Sequence, residues 1–355
     1  MFKFILRYSV LKNLVPLLLI LVLFIGFKAV MIHSLDTELT DEINKIAVQT
    51  AGMNYEEAKA FTDAETAKLL QDAVNNHSGE VRDYFAERAA QIGSELDNRL
   101  RILRQAEENI ENAKNGSGIS YGIPSDYYAE NITVYTRLDP PSLVGGSWYA
   151  FESLQLANPV IIMIFLLTGV IYIRDFEQRI YLSSFVTKNG RKYASYRFVA
   201  FMLISCLFTA VNFIIDIFAS KAVFSADIFT TQIQGISVAF ADSFVSCTIF
   251  QYLLYTLFFQ LLTAINMFDL FFLAARAAKD TYGFAVAGVS AVLFLVIIRT
   301  VFPFFGSFLS VGFPDISLQF TAAVNFGSFT SVMPVMAVNV ILTAVLTVFT
   351  KRKAV

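Results

Sequence analysis

Residues 244–275 read FVSCTIFQYLLYTLFFQLLTAINMFDLFFLAA, and this stretch decides the class of fold. Asp269 is the only charged residue in it. A helix needs about 20 mostly apolar residues to cross the hydrocarbon core of a bilayer. The stretch therefore predicts a transmembrane helix longer than one simple crossing, and we expect Asn266 and Asp269 to mark where it leaves the bilayer core.

Five further apolar stretches of comparable length occur along the chain. They cover residues 14–32, 157–173, 198–218, 282–302 and 332–349. Charged residues make up only 16% of the chain and the mean hydropathy is +0.58, whereas a soluble domain has about 25% charged residues. The sequence predicts an all-α polytopic membrane protein with about six transmembrane helices. A signal peptide is the alternative for residues 14–32, but the stretch is long for one and no cleavage site follows, so we expect an uncleaved helix.

The pattern divides the chain into four parts. We expect an amphipathic interfacial helix, the first span, a mainly helical extracytoplasmic domain with a loop-rich cap, and spans two to six. Their bounds are 1–13, 14–34, 35–156 and 157–355, and the last part contains a cytosolic loop at 174–197 and a re-entrant segment at 303–328. The re-entrant segment is apolar but interrupted by Pro and Gly, and irregular backbone at membrane depth requires shielding by protein.

Charge is distributed unevenly and predicts the orientation. Residues 36–152 contain 21 acidic and 10 basic residues, which leaves 17 basic and 8 acidic residues elsewhere, for a net charge of −2. With the N-terminus inside, 14 of those 17 basic residues fall in cytosolic segments. Because cytosolic loops are enriched in Lys and Arg, we expect both termini in the cytoplasm and the acidic domain outside.

The acidic domain shows helical periodicity. We expect one helix over about residues 40–74, a turn at 75–79, and a second helix that packs on the first as a hairpin. The second helix carries a heptad-like apolar stripe interrupted at Arg99. Its members are Phe85, Ala89, Ile92, Leu96, Leu103, Ala106 and Ile110.

No catalytic or nucleotide-binding motif occurs in the sequence. It lacks a GxxxxGK[ST] phosphate loop, GxGxxG, HExxH and a nucleophile elbow. Cys206, Cys247, His33 and His77 are isolated, with no metal-ligand spacing or disulfide framework. We therefore expect no enzyme activity, cofactor or metal in this chain, and no nucleic-acid partner.

The cytosolic loop and several polar residues at membrane depth are the candidate functional residues. The loop is amphipathic, and its candidate ATPase-coupling residues are Phe176, Glu177, Tyr181, Leu182, Lys188, Gly190, Arg191 and Lys192. An ordinary basic cytosolic loop without a coupling role is the alternative. Asp216, Arg299, Asn266 and Asp269 are candidate pathway or interface residues, because ionisable groups inside a membrane are functional candidates. Reaching the interface is the alternative for Asp216 and Arg299. We expect Asn212, Gln251, Gln260, Asn266 and Asn339 to form hydrogen bonds between helices.

The chain resembles the permease subunits of ABC-2 type transporters of bacteria. The resemblance rests on the N-terminal amphipathic helix, the large domain after span one, the broken segment before the last span, and Glu177, Leu182, Gly190, Arg191 and Arg197 around the loop. It implies an exporter subunit of the bacterial cell membrane that pairs with a second permease and with ATPase subunits, which bind the ATP and Mg. It leaves the substrate and the choice between homodimer and heterodimer open.

Two other functions remain open from the sequence. Two spans framing a helical outer domain also suit a membrane sensor, although four more spans follow instead of a cytosolic signalling domain. A secondary transporter would require buried carboxylates in mid-span and an internal repeat, and the sequence shows neither clearly.

Overall fold

The structure is a computed structural model that describes residues 14–33, 37–50, 53–114, 151, 154–155, 160–169, 190–220, 229, 247–278, 280–301 and 332–354. Within these ranges the regular structure is helical and no strand occurs. The helices are α1 (Leu14–His33), α2 (Thr37–Gln49), α3 (Tyr55–Asn76), α4 (Gly79–Lys114), α5 (Val160–Thr168), α6 (Gly190–Ser220), α7 (Ile249–Ala277), α8 (Thr281–Val301) and α9 (Met333–Ala354).

Four of these helices, α6 to α9, are long and apolar enough to cross a membrane. The apolar part of α1, Leu18–His33, is shorter. The prediction of a helical membrane protein is confirmed at this level. The second predicted span is described only over α5, and the re-entrant segment lies outside the described residues, as does most of the loop at 174–197.

Helix α7 is the centre of the membrane part, because α5, α6, α8 and α9 all pack against it. In the most apolar 18-residue stretch of each helix, two-thirds of the residues of α7 are buried, compared with 11% for α8 and 22% for α9. The helix runs through Asn266 and Asp269 without a break, and both residues are buried. A capping box of Thr248 and Gln251 fixes its first turn.

A cluster of phenylalanine rings joins α5, α6, α7 and α8 at one end of the bundle. Phe198 near the start of α6 packs on Phe268 and Phe272 near the end of α7, with ring centroids 5.3 and 5.1 Å apart. The two helices are therefore antiparallel. Phe165 of α5 stacks on Phe284 of α8 at 4.8 Å, so the same cluster also fixes α5 and the start of α8.

Glycine allows the close approach of α5 and α8. A Cβ on Gly288 would lie 2.5 Å from Cε2 of Phe165, which is itself held between Phe271 and Phe284. This is the close packing that small residues permit in membrane helices.

The part of the chain that is expected to be extracytoplasmic is described over residues 37–50 and 53–114, and one of its predicted helices differs from the structure. The helix expected over residues 40–74 is two helices, α2 and α3, and that prediction is wrong because α2 ends at Gln49 and α3 begins only at Tyr55. Asn54 restarts it with a capping box: the Asn54 side chain accepts from the Glu57 backbone N–H, and the Glu57 carboxylate accepts from the Asn54 N–H. The predicted turn after α3 is present, and Gly79 adopts a φ of +60° there.

Helices α3 and α4 pair as a hairpin, and α2 covers one side of it. Ile92 and Leu96 of α4 are buried against Ile43, Ile46 and Ala47 of α2. In the predicted stripe Ala89 is also buried, whereas Phe85 is exposed. The side chains of Leu103, Ala106 and Ile110 lie outside the described residues.

Arg99 is part of this buried face rather than an exposed exception. Its Nη1 donates to Asn44 Oδ1 of α2 at 3.1 Å, and its Nε lies 3.5 Å from Glu95 Oε1. Burial lowers the pKa of Arg99, and the Glu95 carboxylate opposes that change. The hydrogen bond to Asn44 and the Glu95 carboxylate stabilise the guanidinium in this core.

Candidate functional site

The candidate site consists of polar side chains buried between the apolar helices. One face of α1 is buried at every fourth residue, at Ile20, Phe24 and Lys28. Phe24 packs edge-to-face on Phe208 of α6, and one turn further along, Lys28 Nζ lies 2.5 Å from Asp216 Oδ1. The Lys28 residue is 2% exposed and Asp216 is 0% exposed. A full ion pair is therefore enclosed between α1 and α6.

The second oxygen of Asp216 is also satisfied. Gln155 Nε2 donates to Asp216 Oδ2 at 2.8 Å, and Asn212 Nδ2, one turn earlier on α6, donates to it at 3.0 Å. Gln260 Nε2 of α7 in turn donates to Gln155 Oε1. We call Lys28, Gln155, Asn212, Asp216 and Gln260 the Asp216 network. It links α1, α6, α7 and the segment before α5.

Burial explains why Asp216 has several partners. Moving an ion into a low-dielectric interior costs several kcal/mol even after relaxation, so a buried charge is retained only with a partner and further hydrogen bonds. Asp216 has one cationic partner and two amide donors, which suit an ionised carboxylate. The position of α1 against α6 is therefore fixed by the Lys28–Asp216 ion pair as well as by the packing of Phe24 on Phe208.

A second buried carboxylate lies between α7 and α9. Thr347 Oγ1 donates to Asp269 Oδ2 at 2.6 Å, and Asp269 is 0% exposed. Asp269 Oδ1 has no hydrogen-bond partner within the part of the chain that the structure describes. Nine residues of α7 separate Asp269 from Gln260, a distance of about 14 Å along the helix axis. The two buried carboxylates are therefore separate sites.

The predicted pathway residues are placed as follows. Asp216, Asp269 and Asn266 are buried between helices. Arg299 lies near the C-terminal end of α8, and its side chain is outside the described residues. The expected hydrogen bonds between helices hold for Gln260, whereas Gln251 caps its own helix and Asn339 Nδ2 donates to Val335 O within α9.

The predicted coupling residues are mostly outside the structure's described ranges. Phe176, Glu177, Tyr181, Leu182 and Lys188 fall in the gap before α6. Gly190, Arg191 and Lys192 form the first turn of α6, and the Lys192 side chain is exposed. Their predicted role stays a prediction.

Sequence reasoning missed Lys28 and Gln155 as site residues. Lys28 is the only charged residue of α1, and it falls on the same face as Ile20 and Phe24. Two signals were available: Ile20, Phe24 and Lys28 recur every four residues, and Lys28 is a basic residue near the end of an apolar helix. Gln155 gave no signal, because it lies in a short segment with no periodicity to place it.

Exposed basic side chains gather at one end of the bundle. The Phe198–Phe272 contact brings the start of α6 beside the end of α7, and the start of α8 follows within a few residues. The Thr347–Asp269 bond brings the last turns of α9 to the same end. The exposed basic residues there are Lys192, Arg276, Lys351 and Arg352.

The hairpin domain has a half-open pocket of about 250 Å³ between α2, α3 and α4. Glu42 accepts from Arg88 Nε at 2.9 Å on its wall, and this hydrogen bond raises the pKa of Arg88. His77 stacks on Phe85 at its mouth, with ring centroids 4.3 Å apart. The pocket is smaller than ligand sites of about 300–1,000 Å³, and its charged wall is already paired, so we assign it no ligand.

Cys206 and Cys247 are free thiols, the first partly buried and the second buried. Within the described ranges no three His, Cys, Asp or Glu side chains gather as a metal-binding group. The chain matches no known family model, no curated protein and no solved structure.

Proposed function

We propose that this chain is a membrane permease, the transmembrane subunit of an ATP-driven exporter. The observation that carries the proposal is the set of ionisable side chains buried between helices, above all Lys28, Asp216 and Asp269. Such groups are costly in a membrane and occur where they serve a pathway or a moving interface.

The basic end of the bundle supports the cytosolic side of this proposal. Lys192, Arg276, Lys351 and Arg352 are exposed at one end, and cytosolic ends are enriched in Lys and Arg. This end includes the start of α6, where the amphipathic segment enters. An ATPase that docks on residues 176–192 would act directly on α6, whose other end contains Asp216.

A separate ATPase is part of the proposal because the sequence contains no phosphate-binding loop. The ATPase subunits would bind ATP and Mg and close when ATP binds, and a second permease chain would complete the pathway. Helices α8 and α9 are mostly exposed, with Val289, Leu293 and Ile297 of α8 facing outward. These faces suit lipid contact, and the permease–permease contact also has to be made at the bundle surface.

The test is co-purification of the full-length chain with the ATPase encoded beside it. We expect the triple variant Glu177→Lys, Tyr181→Ala, Leu182→Ala to lose the ATPase and its transport-linked hydrolysis, while membrane insertion is kept. The matched control is Glu56→Lys, a charge reversal at an exposed position of α3. If the triple variant keeps wild-type hydrolysis, residues 176–192 are not the docking site. If no ATPase co-purifies with the unmodified chain, the exporter proposal is contradicted.

A proton-coupled secondary transporter is the second candidate. Asp269 favours it, because a carboxylate without a cationic partner is a feature of proton and ion pathways. The two candidates differ in their energy source. Substrate movement in vesicles that contain the purified chain alone, driven by a pH gradient and abolished when the gradient is collapsed, would favour the secondary transporter.

A further inference from the structure

Asp269 lies on a polar face between α7 and α9. The buried face of α9 recurs at Val335, Asn339 and Thr343, and Thr347 follows four residues later. Thr347 Oγ1 donates to Asp269 Oδ2 at 2.6 Å. Thr343 is one turn from Thr347, so its hydroxyl lies within about one turn, roughly 5 Å along the axis, of the carboxylate level.

The two buried carboxylates have different surroundings. Asp216 has the Lys28 ammonium at 2.5 Å and two amide donors. Asp269 has one hydroxyl donor, no cation within ion-pair distance in the described ranges, and an Oδ1 without a hydrogen-bond partner there. The surroundings of Asp216 compensate a negative charge, and those of Asp269 do not.

The charged and titratable groups around α7 do not alter this contrast. Helix α5 has none. On α6, Arg197 lies over the Phe201 ring, Cys206 is partly buried, and Lys192 and Tyr196 are exposed. Asp280 precedes α8 and accepts from the Gly283 N–H, and Tyr282 is exposed. The side chains of Arg191, Tyr193, Arg299 and Lys353 lie outside the described residues. Lys351 and Arg352 of α9 and Arg276 of α7 are exposed, and Tyr252 and Tyr255 lie at the far end of α7. None of the described groups forms an ion pair with Asp269.

The Thr343 hydroxyl supplies a second observation. Buried hydroxyls of Thr168, Thr209, Thr256 and Thr263 all donate to the carbonyl four residues earlier in their helices. Thr343 Oγ1 is buried and has no hydrogen-bond partner in the described part of the chain. Asp269 Oδ1 is also without a partner there, so the polar face between α7 and α9 has two buried atoms that make no hydrogen bond within the described residues.

An isolated carboxylate at this depth would neutralise rather than remain charged. We propose that Asp269 is a proton-binding site: the side chain binds one proton from water and is a neutral carboxylic acid while α7 and α9 are in contact. Loss of that proton to water leaves a carboxylate whose charge nothing nearby compensates. Release therefore requires that water enters between α7 and α9, which couples proton binding to the separation of these two helices.

The test is the carboxyl-carbon magnetic resonance spectrum of the full-length protein in lipid bilayers, with aspartate labelled by ¹³C. Neutral and ionised carboxyl carbons give separate signals. At neutral pH we expect one neutral-acid signal, absent in Asp269→Asn and retained in the double variant Lys28→Met, Asp216→Asn, the matched control, which removes the second buried carboxylate without leaving Lys28 unpaired. If the spectrum of the wild-type protein shows no neutral-acid signal, the proposal is overturned by that measurement alone.

Two further variants test the placement of the proton. Thr347→Val should move the neutral-acid signal because the hydroxyl contacts the carboxyl group, whereas Thr256→Val, the same change at a buried site on α7, should leave it in place. Should Asp269→Asn fail to fold, Asp269→Glu with labelled glutamate should show the neutral acid among the glutamate signals. A neutral-acid signal that is lost in the double variant Lys28→Met, Asp216→Asn, or that does not move in Thr347→Val, assigns the proton to another residue.

Discussion

At the scale of single residues, the Lys28–Asp216 pair is the contact whose loss we expect to lower the stability of the protein most. Removing one member leaves an uncompensated buried charge, which costs about 3–5 kcal/mol in proteins. We expect Lys28→Met to lower the denaturation midpoint of the full chain in detergent. The double variant Lys28→Met, Asp216→Asn should recover part of the loss, because no charge is left buried. A double variant less stable than the sum of the singles would contradict this account.

The sequence could not have supplied this pair. Lys28 and Asp216 are 188 residues apart, and the sequence around one residue does not indicate that the other is its partner. Sequence reasoning did find Asp216 and Asp269 as intramembrane carboxylates, because a lone charge in an apolar run is visible by composition. Which carboxylate has a cation and which has a hydroxyl depends on helix packing, and only the fold provides that information.

At the scale of elements, Gly288 of α8 controls the contact with α5. A methyl group there would meet Phe165, whose ring is held by Phe271 and Phe284. We expect Gly288→Ala to cost about 1–3 kcal/mol, as overpacking does. The measurement is the denaturation midpoint in detergent. Gly26→Ala is the control, because nothing lies within 4 Å of a Cβ at that position. Equal midpoints for the two variants would mean that α5 and α8 are not in close contact.

The core of the hairpin domain can be tested without cutting the chain. Ile92 and Leu96 are buried against α2, and replacing either by Ala should cost about 2–5 kcal/mol. We expect faster amide hydrogen exchange across α2, α3 and α4 in both variants. Ser94, exposed between them, provides the control Ser94→Ala, which should exchange like the wild type. Unchanged exchange in the Ile92 and Leu96 variants would leave this face as a free surface.

Helix boundaries show where sequence reasoning succeeds and where it fails. Long apolar runs located α6 to α9, the four helices that are long and apolar enough to cross a membrane, because hydrophobicity alone selects such stretches. The interruption between α2 and α3 was missed, since helical periodicity continues on both sides and the break depends on one capping box at Asn54. Arg99 was misread as an interruption of the apolar face for a similar reason: its partner Asn44 lies 55 residues away on another helix.

At the scale of the whole molecule, the basic end of the bundle predicts the orientation in the membrane. In a background with Cys206 and Cys247 replaced by Ala, we expect an impermeant thiol reagent to label Ser94→Cys on whole cells. Ser184→Cys should react only after the cells are opened. Because Ser94 is exposed on α4, lack of labelling cannot be explained by burial. Labelling of Ser184→Cys and protection of Ser94→Cys would invert the topology.

The Asp216 network also has a consequence for biogenesis. In the topology that the sequence predicts, Lys28 enters the bilayer with α1, and its partner is synthesised 188 residues later. At about 5–20 residues per second, the ribosome takes roughly 10–40 s to reach it. During that interval the lysine has to extend its ammonium to the headgroup region, as long basic side chains near helix ends do. Insertion of α6 then draws the ammonium inward, so the first helix acquires its final depth only after more than half of the chain has been translated.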